Sequence, residues 1–186
     1  MIWNEILCLG DSLTYGARDR YGRSYPVELG QILHKETGEL YVCHNYGVNG
    51  ETTSDLLRRS WSILKSNREC KIALLLIGTN DTKSPTPLEV YEDNMRQLIM
   101  SIKANGMKLI VGTLPPLTFS PAYAQNREYT KKYSEIIKKM SAASRYSFNV
   151  CNLQDLGPFL LDGVHFDNEG YKEVAKRFSE TILKMA

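Results

Sequence analysis

No stretch of this chain is long and apolar enough to cross a bilayer. The longest apolar run, Ile72 to Ile77, is far short of the about 20 residues that a spanning helix needs. The segment from Met1 to Gly10 carries Glu5 and has neither a basic start nor a long apolar core, so no secretory leader is read and the cytoplasm is the expected compartment. Excess charge of one sign is also missing. A formal net charge of +2 on 186 residues gives no electrostatic footprint for a nucleic acid. The one lysine cluster, Lys131, Lys132, Lys138 and Lys139, has the spacing of a solvated helix face. The four cysteines, Cys8, Cys43, Cys70 and Cys151, form no C-x-x-C pair, and the three histidines form no H-E-x-x-H. Metal dependence is therefore disfavoured, and the cysteines read as small hydrophobes in or beside apolar runs. Repeats, linkers and low-complexity tracts are absent too, which leaves one domain over residues 1–186 as the expectation.

What is present is an alternation of strand-like and helix-like segments. Short apolar runs at Glu5 to Gly10, Leu40 to His44, Ile72 to Ile77, Met107 to Gly112 and Ser147 to Cys151 read as five strands. Between them lie helical stripes. Tyr25, Leu29, Ile32 and Leu33 form one; Leu57, Trp61 and Leu64 form a second, with Thr52, Thr53 and Ser54 as candidate caps. A third runs through Leu88, Tyr91, Met95, Leu98, Ile99 and Ile102, opened by Thr86-Pro87-Leu88-Glu89, which reads as a capping box with proline at the first helical position. Two more follow, through Tyr129, Tyr133, Ile136, Ile137 and Met140, and through Tyr171, Val174, Phe178 and Ile182. This alternation predicts parallel strands with helices on both faces. In such sheets ligands bind beyond the carboxyl ends of the strands, which tells where to look for chemistry.

Four polar clusters fall at those places. Gly10-Asp11-Ser12-Leu13 follows the first strand. A serine hydroxyl is a weak nucleophile unless a base takes its proton; Gly10 is expected to let the chain turn sharply out of the strand. Asp162-Gly163-Val164-His165 precedes the last helix. Its spacing lets the carboxylate reach the Nδ1 hydrogen of the histidine, leaving Nε2 to accept a proton. A helix-entry turn in which Asp162 only binds backbone amides fits the same string. The stretch Asn45 to Thr52 and the string Gly78-Thr79-Asn80-Asp81 hold exposed amides that can meet a developing oxyanion, or else are ordinary turns.

Together the four blocks, in this order from Gly10 to His165, resemble the SGNH hydrolases, also called the GDSL family of lipases and esterases. The resemblance implies a three-layer α/β/α sandwich on a five-stranded parallel sheet, flavodoxin-like, in the order 2-1-3-4-5. It also implies a serine esterase acting on a small-molecule ester through an acyl-enzyme at Ser12, without a cofactor. Ser12, Asp162 and His165 take the catalytic roles. The oxyanion donors are the Ser12 amide, the Gly50 amide and the Asn80 side chain, with Gly47 as the fallback for Gly50. No G-x-S-x-G surrounds Ser12, which separates the chain from the α/β-hydrolases.

Short-chain soluble esters, O-acetylated sugars among them, are the expected substrates, since no long exposed apolar surface is legible. The loop Leu114 to Tyr123 is expected to overhang the site, with Phe119 or Tyr123 lining a pocket or packing the loop. Hydrolysis of longer acyl chains, as by a lysophospholipase or thioesterase, and acyl transfer with the same triad stand as alternatives. A flavodoxin-like phosphate or nucleotide binder is a rival of another class, built on Ser12, Thr14 and Gly16. It lacks both G-x-x-x-x-G-K-[ST] and G-x-G-x-x-G, and it leaves Asn80, Asp162 and His165 without a role.

Overall fold

A computed structural model describes residues 3–185. Five strands, β1 (Trp3–Gly10), β2 (Leu40–Gly47), β3 (Ile72–Leu76), β4 (Lys108–Gly112) and β5 (Asn149–Cys151), make one sheet in the order β2-β1-β3-β4-β5. Every pairing is parallel. Strands joined in this way need crossovers, and helices supply them. The short α1 (Ser12–Tyr15) follows β1, then come α2 (Tyr25–Thr37), α3 (Thr53–Ser66), α4 (Leu88–Ala104), α5 (Tyr129–Ala142) and α6 (Asn168–Leu183). Helices α2 and α6 pack together on one face, and α3, α4 and α5 form a layer on the other.

The central strands are buried on both sides, which is why they read as unbroken apolar runs. Ile6 to Leu9 and Ala73 to Leu76 are fully enclosed. Aromatic pairs tie the helix layers: Tyr25 of α2 stacks on Phe178 of α6 at 5.1 Å, and Tyr91 of α4 on Tyr133 of α5 at 4.0 Å. The four cysteines are free thiols, three of them buried. Among the described residues no helix is long and apolar enough to cross a membrane.

Three local readings change. The capping box forms at α3 rather than α4. Thr52 accepts from the Asp55 amide, while Asp55 accepts from the Thr52 amide at 2.9 Å. At α4 the cap position is Pro87, and the Thr86 hydroxyl donates instead to Asp81 Oδ1 at 2.9 Å, because a buried carboxylate competes for it. On α3 the inward stripe is Leu56, Ser60, Ile63 and Leu64. Trp61 is turned outward, 71% exposed, with Lys65 over its ring. Strand β2 runs on to Gly47, because Asn45, Tyr46 and Gly47 pair with Cys8, Leu9 and Gly10.

Candidate active site

Strand β1 delivers Gly10 to the carboxyl rim of the sheet, and the chain enters α1 immediately. Gly10 is required for space rather than for a turn: a Cβ there would meet the Leu76 carbonyl oxygen at 2.2 Å and Thr14 Oγ1 at 2.2 Å. Asp11 caps α1 by accepting the Leu13 amide at 2.9 Å. Burial pushes the Asp11 carboxyl up to about 7; the Leu13 amide only partly offsets this, and Asp81 adds to it. Ser12 follows, buried at 4% exposure.

The other half of the arrangement is a turn between α6 and the strand region before it. Leu160 and Phe166 form an antiparallel bridge, closed by the Leu161 amide donating to the His165 carbonyl at 2.7 Å. Inside this loop Asp162 Oδ1 accepts from the amides of Val164 and His165, at 3.1 and 2.8 Å. Its Oδ2 lies 2.8 Å from His165 Nδ1. One oxygen binds the turn amides and the other the imidazole, so the reading in which Asp162 only binds amides does not hold. His165 Nε2 lies 3.0 Å from Ser12 Oγ, across 153 positions of sequence. The two strings expected to meet do meet at one rim. Arg18 adds a contact that the sequence did not suggest: its Nε donates to Asp162 Oδ2 at 3.0 Å. Burial alone would raise the Asp162 carboxyl, but the His165 amide and ring and then Arg18 outweigh it, holding it well below the usual carboxylate range. A carboxylate on Nδ1 selects the tautomer that leaves Nε2 as an acceptor.

The second and third blocks line the same rim. Gly50 sits at φ +81° with open space around it. Among the described residues no hydrogen bond engages its amide or that of Ser12. Gly47 differs. Its amide donates to Asn45 Oδ1 at 2.9 Å, and a Cβ there would lie 2.1 Å from the Tyr15 nitrogen; it lets α1 lie against β2. The turn carrying Gly50 is held by Arg59, whose guanidinium grips the Glu51 carboxylate at 2.6 to 2.8 Å and the Tyr46 carbonyl at 2.7 Å.

Asn80 opens a short 3-10 turn after β3. Its Nδ2 donates to the Glu51 carbonyl at 2.9 Å, and its Oδ1 accepts from the Tyr123 hydroxyl at 3.0 Å. An amide carries two N–H donors, so fixing one of them fixes the direction of the other. The neighbouring Asp81 is fully buried. Its carboxylate takes the Thr53 amide and hydroxyl at 2.9 and 2.7 Å, tying the start of α3 to the rim.

The loop after β4 does overhang this region. The Thr118 amide donates to the Gly163 carbonyl at 3.0 Å, and a Cβ on Gly163 would meet the Phe119 carbonyl oxygen at 2.4 Å. Phe119 itself is 90% exposed, while Tyr123 turns inward to Asn80.

A hydroxyl, an imidazole and a carboxylate in hydrogen-bonded series, next to unengaged amides, can carry out nucleophilic acyl chemistry. The GDSL-like lipase/acylhydrolase family matches residues 8–173. The chain belongs to this family. Over its full length it is 26% identical to the isoamyl acetate-hydrolyzing esterase of Saccharomyces cerevisiae, of which the match covers 87%. It is 27% identical over 96% of its length to a multidomain esterase of Ruminococcus flavefaciens, but spans only 28% of that protein. Among solved structures, an inhibitor-bound aryl esterase of M. smegmatis superposes with a TM-score of 0.81 at 19% identity, covering 98% of this chain and all of that one. An acetyl xylan esterase from Geobacillus stearothermophilus gives 0.81 at 20% identity, over 96% and 94%. These likenesses support the same SGNH hydrolase fold, the five-stranded parallel sheet in the order 2-1-3-4-5.

Proposed function

We propose that this GDSL-family chain is a single-domain serine esterase that cleaves small, soluble, short-chain carboxylic esters, O-acetylated sugars among them. The observation that carries this reading is the continuous series Ser12 Oγ, His165 Nε2, His165 Nδ1 and Asp162 Oδ2, with steps of 3.0 and 2.8 Å. Ser12 Oγ attacks the ester carbonyl as its proton passes to His165 Nε2. The carbonyl oxygen becomes an oxyanion, met by the amides of Ser12 and Gly50 and by the free N–H of Asn80. Each such donor is worth roughly 3–4 kcal/mol of transition-state stabilisation. The imidazolium, stabilised by Asp162, then protonates the departing alcohol, leaving the acyl group on Ser12. Water, deprotonated by the same imidazole, attacks that acyl group and restores the serine.

The preference for short acyl groups rests on the loop of residues 114–123 being clipped down over the rim, and on relatives whose names specify acetate and acetyl xylan esters. The test is a series of chromogenic acetate, butyrate, octanoate and palmitate esters, run with the wild type and with Ser12→Ala. Acetate is expected to be cleaved fastest, and the variant to fold normally while losing hydrolysis of every ester. Turnover rising with chain length would overturn the substrate class, and activity retained by Ser12→Ala would overturn the nucleophile.

A further inference from the structure

At the opposite end of the sheet, three chemically different metal-binding side chains converge. Glu5 of β1, His44 of β2 and Cys70 from the turn between α3 and β3 hold their ligand atoms within 4.8 Å of one another. We propose that Glu5, His44 and Cys70 form a binding site for a borderline-soft divalent cation of the zinc class, separate from the hydrolytic rim.

The backbone positions are fixed before any ion arrives. In the β1–β2 register Glu5 lies opposite Val42 and Leu7 opposite His44, which places residues 5 and 44 on one face of the sheet, a diagonal step apart. The Lys71 amide donates to the Glu5 carbonyl at 3.3 Å, and the Cys70 amide to the Asn67 carbonyl at 3.1 Å, so the cysteine is held against the same strand. His44 Nε2 already stands 3.0 Å from Glu5 Oε2. Around a tetrahedral ion, ligand atoms stand about 3.3–3.6 Å apart, given metal–sulfur bonds near 2.3 Å and metal–nitrogen or metal–oxygen bonds near 2.0–2.1 Å. The nitrogen–oxygen pair is therefore close enough, and only the sulfur has to approach. Glu5 and His44 are about one-third exposed, whereas Cys70 is buried at 1%. Two ligands that reach solvent can adjust to one buried ligand while the fourth position stays open to water.

The donor set selects the ion. One carboxylate offers too few hard oxygens for calcium or magnesium, whereas thiolate with imidazole suits zinc and its neighbours in the first transition row. Coordination forms a metal–sulfur bond and releases the thiol proton to solvent, with no change of oxidation state. Glu5 lies five residues before Gly10, about 16 Å along the strand at the usual rise. The ion therefore clips the edge strand β2 to β1 and to the start of β3, and takes no part in ester cleavage.

Titration of the chelator-stripped full-length protein with Co2+ and then Zn2+ tests this. Cobalt is expected to produce a sulfur-to-metal charge-transfer absorption that saturates at one equivalent and is displaced by zinc. Cys70→Ser should abolish the band, and His44→Gln should weaken binding by at least about tenfold (roughly 1.4 kcal/mol). His34→Gln should change nothing. Zinc at a hundredfold excess over the wild-type Kd is expected to raise Tm by about 5–10 °C in the wild type and by about half that or less in His44→Gln. Absence of the band, or a band that survives Cys70→Ser, would overturn the proposal. If Cys70→Ser fails to fold, unchanged affinity in His44→Gln and Glu5→Gln overturns it equally.

Discussion

The turn that carries Ser12 and the turn that carries His165 face each other across 3.0 Å, yet they are held by different forces. The serine turn is fixed by steric fit. Gly10 and Gly47 leave no room for a Cβ against Leu76, Thr14 and Tyr15, and Asp11, Ser12, Leu13 and Thr14 are all buried. The histidine turn is half-exposed and fixed by directed polar contacts that radiate from Asp162: two amides, the imidazole and Arg18. Under the esterase reading, the Ser12 hydroxyl takes its activation from the imidazole and needs from its own turn a fixed position, which close packing supplies. An acid–base group must change charge during each cycle, so its support has to respond to charge. The two halves should therefore fail in different ways when damaged.

Asp162→Asn attacks the polar half. Asn can still accept the backbone amides through its oxygen but cannot stabilise the imidazolium, so kcat should fall by roughly 10³–10⁴-fold. Stability should fall too, because the charge favoured by His165 and Arg18 is lost, but by much less than turnover, as followed by ester hydrolysis beside a thermal melt. An equal loss of Tm and of turnover would erase the contrast. Gly47→Ala attacks the packed half. Its Cβ meets backbone atoms that cannot step aside, and overpacking of this kind costs about 3 kcal/mol. Tm should fall by about 6–12 °C for a chain of this length, while the molecules that remain folded keep most of their activity. A variant with wild-type Tm would show that α1 can lift from β2.

The smallest effect belongs to Asp11, where packing and charge meet. Its folded carboxyl, raised to about 7 by burial, binds protons that the unfolded chain has already released. Its contribution is thus greatest near pH 4 and is lost as pH rises to about 7. Asp162 is depressed rather than raised, so its contribution appears above the unfolded carboxylate range and is lost only in stronger acid. The two windows do not overlap. Asp11→Asn should keep the α1 cap and gain stability relative to wild type at pH 8 compared with pH 5. Denaturation midpoints at the two pH values measure this, and a pH-independent difference would refute the assignment.

These forces also explain what the sequence disclosed. The strings Gly10–Leu13, Gly78–Asp81 and Asp162–His165 are contiguous, and each occupies one loop at a strand end or helix start, so spacing showed what geometry each could take while the resemblance of the blocks together assigned their roles. The alternation of buried strands with amphipathic helices disclosed a parallel sheet covered on both faces, whereas the strand order came only from the resemblance to the SGNH hydrolases. Contacts between distant loops left no local trace. Tyr123 reaches Asn80 across 43 positions and Arg18 reaches Asp162 across 144. Glu5, His44 and Cys70 come together only through the parallel register of the strands. The Thr86 string looked like a cap because propensity cannot register Asp81, whose buried oxygens draw the hydroxyl away. Gly47 and Gly50 differ in whether their amides are engaged and in the room around them, and both are properties of the folded chain.

The bond from Thr118 to Gly163 joins the loop over the rim to the segment that bears the imidazole. Under the esterase reading, a bulky acyl group that lifts residues 118 and 119 also pulls on the base and draws it out of line with the attacking oxygen. Such a guest is accommodated but processed slowly. Selectivity of this kind is registered in turnover rather than in affinity, so an oversized ester behaves as a competitive occupant of the site.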